Sequence, residues 1–74
     1  MEMKYIMIDG MFPVIFSPNF THSDMARDKN VTSAGFIDDE GNVKGYSDSL
    51  GMGPKEKDQK IINLITKNYF KKET

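Results

Sequence analysis

The stretch GMGPKEKDQKIINLITKNYFKK, residues 51–72, leaves this chain little architectural choice. Pro54 suits the first position of a helix, with Gly53 as its N-cap. Glu56 falls in the first turn and Lys71 and Lys72 in the last, as the helix dipole favours. Glu56 and Lys60 form a well-ordered i,i+4 pair. Ile61, Ile62, Leu64, Ile65 and Tyr69 gather on one side at about 100° per residue, and Lys60, Lys67 and Lys71 share the other. Such a helix needs a second layer to cover its apolar face, and the first fifty residues must supply it.

They read as two hairpins. Tyr5 to Ile8 is an apolar, β-favouring run, and Asp9-Gly10 is a turn signal because glycine tolerates positive φ. Val14 to Phe16 is the returning strand, with Pro13 at its start and Pro18 closing it. Met11 and Phe12 are poor turn formers, so the loop is expected to run beyond two residues. Val31 to Ile37 and Val43 to Ser47 form the second pair around DDEGN, which is dense in turn residues. Gly35 and Gly45, on opposite arms, mark bulges or close approaches of another backbone. The order hairpin, short helix, hairpin, long helix implies an α+β fold. It is an antiparallel sheet of about four strands with the C-terminal amphipathic helix packed on one face. Residues 1–74 form a single small domain, without repeats, low-complexity segments or a linker.

At 74 residues, only about 60% of the unfolded chain's surface is buried on folding. The absence of Cys excludes disulfides and thiolate-rich zinc sites, so stability rests on a well-packed core or on self-association. Lack of Cys fits a reducing compartment. No apolar run approaches the ~18–20 residues that span a membrane, and Asp9 interrupts the N-terminal run before it reaches signal-peptide length. A cytoplasmic protein is the expectation. Nine lysines against one arginine, with frequent Ile and Asn, point to an AT-rich bacterial or phage genome.

The net charge of −1 gives no general attraction to nucleic acid. Its distribution is uneven. Asp38, Asp39, Glu40 and Asp48 against Lys44 make residues 38–53 acidic, at −3, whereas residues 54–74 carry +3. The lysine ridge Lys60, Lys67, Lys71 is the best case for a nucleic-acid contact, although base-edge readers favour Arg, Asn and Gln.

Three stretches invite chemical readings. FTHSDMARD, residues 20–28, holds the sole histidine and the sole arginine. Thr21 and Asp24 have capping-box-like spacing, which makes the segment the start of a one- to two-turn helix with Met25 turned inward. His22, Ser23 and Asp24 diverge by about 100° per step on a helix, so they do not form a catalytic triad among themselves. DDEGN fails as an EF-hand loop, because position six counted from Asp38 is Val43 and not Gly. GMGPK before the helix lacks the Gly-Lys-Ser/Thr of a phosphate loop, and Pro54 removes an N–H that would hold phosphate.

Both hairpins carry apolar residues on both faces, yet only one face receives the long helix. The opposite face is therefore expected to be open as a partner surface or dimer interface. The function this implies is a non-catalytic protein–protein interaction or regulatory module, acting as a homodimer or on another protein. No cofactor, metal or membrane is called for. The alternative is a nucleic-acid binder using the lysine ridge, and the second alternative an enzyme with its site around His22. The candidate binding residues are His22, Arg27, Lys60, Lys67 and Lys71.

Overall fold

Asp9 and Gly10 start the sheet. Both take positive φ, +55° and +73°, the signature of a type I′ turn whose twist suits a hairpin. The Met11 N–H closes the turn on the Ile8 carbonyl at 3.1 Å. Met11 stays in the loop and Phe12 opens the next strand. In the computed structural model, which describes residues 2–70 with backbone alone for 67–70, the order is β1 (Met3–Ile8), β2 (Phe12–Phe16), α1 (His22–Ala26), β3 (Val31–Ile37), β4 (Val43–Lys44) and α2 (Glu56–Phe70). The single antiparallel sheet runs β2-β1-β3-β4. The fold is α+β, as the sequence implies. Among the described residues no helix is long and apolar enough to cross a membrane.

The register sorts side chains to two faces. Tyr5 stands opposite Ile15 and Gly35, and Ile6 opposite Val14 and Ala34. Tyr5, Met7 and Ile37 meet Ile62 of α2 in one cluster, with Val43 and Ile61 at its margin. Ile6, Phe16 and Ala34 form a second cluster on the other face.

That second face is covered over its centre, with Phe12 at the β2 edge left 57% exposed, which corrects the expectation of a wholly uncovered partner surface. Met25 of α1 and Leu50 and Met52 of the loop between β4 and α2 pack on it, and Ile6 and Ala34 are fully buried. The cause is local. Ser47 and Met52 bridge each other, with the Ser47 N–H on the Met52 carbonyl at 2.8 Å, so the 47–52 turn folds back over the sheet. The same turn ends β4 at Lys44, three residues before the expected Ser47.

The long helix begins two residues later than Pro54 suggests. Lys55 precedes its first residue, and the Lys55 N–H donates to Asp58 Oδ2 at 3.0 Å, half of a capping box. Thr21 caps α1 as its spacing implies, its Oγ1 accepting from the Asp24 N–H at 3.0 Å. Both expected strand glycines mark close approaches. A Cβ on Gly35 would lie 2.9 Å from the Lys44 carbonyl oxygen and 2.9 Å from Pro54 Cγ. One on Gly45, where φ is +86°, would lie 2.6 Å from the Phe36 ring.

Asp58 ties helix to sheet. Its Oδ2 accepts from the Tyr5 hydroxyl at 2.7 Å and the Ser33 hydroxyl at 2.6 Å, besides the Lys55 N–H. All three side chains are buried, and Asp58 Oδ1 has no hydrogen-bond partner among the described residues. Burial first, then the hydrogen bond to Asp58 and its charge, hold the Tyr5 phenol well above its ordinary range near 10. The sign follows from linkage. Above about pH 10 the unfolded chain releases this proton while the folded chain keeps it, so stability present below that pH is lost above it. Urea midpoints should therefore fall from about pH 10 upward, and Tyr5→Phe should flatten that fall. Identical alkaline slopes in the two proteins would contradict this.

Candidate functional site

His22, the first residue of α1, is buried between two rings. Phe16 stands edge-on at 5.7 Å between centroids and Phe36 at 5.2 Å. Nε2 lies 2.8 Å from the Gly35 carbonyl oxygen. A carbonyl only accepts, so Nε2 carries the proton and Nδ1, in the neutral ring, keeps the lone pair. The sole histidine thus anchors α1 to β3.

Beside it lies a cleft of about 230 Å³. Phe36 and Tyr46 supply aromatic surface, Lys4 and Asp48 supply opposite charges, and Thr21 and Ser49 supply hydroxyls around His22. Lys4 Nζ donates to the Phe20 carbonyl at 2.8 Å and stands 6.0 Å from the centre of the Phe36 ring. Tyr46 is more than half exposed. Ser49 lines the cleft with His22, whereas Ser33 donates to Asp58 and Ser47 is buried in the 47–52 turn.

Arg27 does not join this cleft. It is the exposed C-cap of α1, at the opposite end of the helix from His22, and its carbonyl accepts from Lys29 Nζ at 3.4 Å. Lys60 is exposed on α2, the side chain of Lys67 and all of Lys71 lie outside the described residues, and the ridge reading therefore rests on Lys60. The acidic DDEGN tip is a self-satisfied turn. Asp38 Oδ1 accepts from the Glu40 and Asn42 N–H groups, both at 2.9 Å, and these bonds, that of Asn42 foremost, lower its carboxyl below the usual range. Among the described residues no cluster of His, Cys, Asp or Glu is placed to hold a metal ion.

A second feature lies on α2. Among its described side chains the fully buried ones are Asp58 and Ile62, and half-buried Thr66 follows them at the i+4 spacing. Gln59 holds the flank toward β4, accepting from the Val43 N–H at 2.8 Å and donating to the Gly41 carbonyl at 2.9 Å. On the other flank Ile61, Leu64 and Ile65 recur at i, i+3 and i+4, a stripe about 100° wide. Leu64 is 66% exposed and Ile65 43%. This corrects the single apolar face read from sequence. Two steps of about 100° carry Leu64 some 200° around from Ile62, so one sheet cannot cover both.

Both sheet edges are blunted against strand addition. Pro13 lacks an N–H in edge strand β2, and β4 at the other edge has two residues. Compared with family models, curated proteins and solved structures, the chain matches none.

Proposed function

We propose that this protein is a non-catalytic interaction module of the cytoplasm, and that its interaction surface is the Ile61–Leu64–Ile65 stripe of α2, closed by a second copy of the chain. The exposure of Leu64 and Ile65 beside an otherwise docked helix carries this reading. An i, i+3, i+4 stripe packs well against its own copy across a two-fold axis, because ridges of one helix enter grooves of the other. A net charge of −1 puts little self-repulsion in the way. With both edges blunted, such pairing closes at two copies instead of growing by strand addition. A core this small also gains from a partner that removes apolar surface from water, at roughly 25 cal/mol per Å².

Sedimentation velocity is the test. The wild-type chain should shift from one to two copies with concentration. Leu64→Glu with Ile65→Glu should stay single at every concentration while keeping the wild-type circular dichroism spectrum. A single copy throughout for the wild-type chain overturns the proposal, as does a dimer that survives both substitutions.

A further inference from the structure

The cleft beside His22 is a separate feature from the α2 stripe, and its chemistry is specific. Its walls carry one ammonium, Lys4 on β1, and one carboxylate, Asp48 in the 47–52 turn. Lys4 spends one N–H on the Phe20 carbonyl and has two left. Asp48 makes no ion pair with another described residue. The Phe36 and Tyr46 rings line the same cleft, and its volume of about 230 Å³ equals that of about eight waters. That is room for a ligand on the order of ten non-hydrogen atoms, well below drug size.

The two charges decide the class. A simple anion would meet Lys4 but face Asp48 without a partner, and a simple cation would suffer the converse. A molecule carrying both charges satisfies both groups, and an apolar side chain on the carbon that bears them covers the rings. We propose that this cleft binds a free α-amino acid, its carboxylate on Lys4, its ammonium on Asp48 and its side chain across Phe36 and Tyr46. His22 is not asked to titrate or react. Its Nε2 is held by Gly35, and its burial against Phe36 fixes the floor of the cleft. The inference stands whether or not α2 pairs with a second copy.

The sole histidine makes the test direct, because its imidazole gives one resolved pair of carbon-bound proton signals. The full-length chain is titrated with glycine, L-leucine and L-phenylalanine, and separately with acetate and methylammonium. At least one amino acid should shift the His22 signals saturably, and acetate and methylammonium should each bind about tenfold more weakly, having one charged contact in place of two. Lys4→Met and Asp48→Asn should each weaken amino-acid binding about tenfold while the remaining spectrum stays that of the folded chain. Three results overturn the proposal: no saturable shift with any amino acid, acetate or methylammonium binding as tightly as the amino acids, or amino-acid binding unchanged in both variants. If the two variants alter the fold, the single-charge ligands on the wild-type chain still decide it.

Discussion

Asp58→Ala is expected to cost about 4 kcal/mol, most of the stability a domain of this size holds. The substitution takes away one oxygen that accepts three hydrogen bonds, from Tyr5, Ser33 and Lys55. It strands two buried hydroxyls and one backbone N–H, each costing about 1–3 kcal/mol when unpaired, offset in part by removal of a buried carboxylate. The bonds link β1, β3 and α2, so the loss falls on the joint between the layers. Asp58→Asn should cost less, about 2 kcal/mol. Its carbonyl keeps the three bonds, but its NH₂ occupies the place of Oδ1, which has no partner among the described residues. Tyr5→Phe and Ser33→Ala each delete one donor and should cost about 1 kcal/mol. Urea unfolding of the four variants checks the ranking. If Asp58→Ala does not fold, Asp58→Asn still tests it, and an Asp58→Asn as stable as the parent would contradict the account.

Gly35→Ala comes next, at about 3 kcal/mol. An added Cβ would stand 2.9 Å from the Lys44 carbonyl oxygen, 2.9 Å from Pro54 Cγ and 3.2 Å from a Tyr5 ring carbon. Two of these neighbours are rigid: a backbone oxygen beside the β3–β4 ladder and a proline ring. The 53–55 segment must move outward, and the same segment presents the Lys55 N–H to Asp58 and the Gly53 carbonyl to the Ala34 N–H. Gly41 is the control. It has open space around its Cβ position, and only its φ of +86° penalises alanine, at about 1 kcal/mol. Thermal unfolding should rank Gly35→Ala below Gly41→Ala, and the reverse order would remove the close approach from the account.

The local elements were legible in the sequence because local chemistry sets them. Asp9-Gly10 turns, Thr21 caps, Gly35 and Gly45 admit close neighbours, and residues 31–37 form a strand. What escaped was set by pairs distant in sequence. The central pairing of β1 with β3 joins two hairpins and has no local signal. The cover over the second sheet face comes from Leu50 and Met52, which sit in a loop with no periodicity to reveal them. Asp58 did leave a trace. At about 100° per residue it falls on the buried stripe with Ile62, and an acid on an apolar stripe calls for buried donors. Tyr5 and Ser33, 53 and 25 residues away, are those donors, and no spacing rule names them. The stripe of α2 misled for a related reason. Apolar residues over nearly half of a helix look like one broad face in sequence, yet the sheet covers only the side bearing Asp58 and Ile62. The cleft joins Lys4, His22 and Asp48 from three separate segments, so only the fold brings an ammonium and a carboxylate together around the histidine.

The α2 stripe is tested most directly by distance measurements between copies. Chains labelled with ¹³C and chains without label are mixed, and nuclear Overhauser effects are recorded only between a labelled and an unlabelled chain. The account predicts that they connect the methyl groups of Ile61, Leu64 and Ile65 of one copy with those of the other. Cross-copy effects confined to the sheet edges or to the loops, or none at concentrations where the chain is doubled in mass, would contradict it.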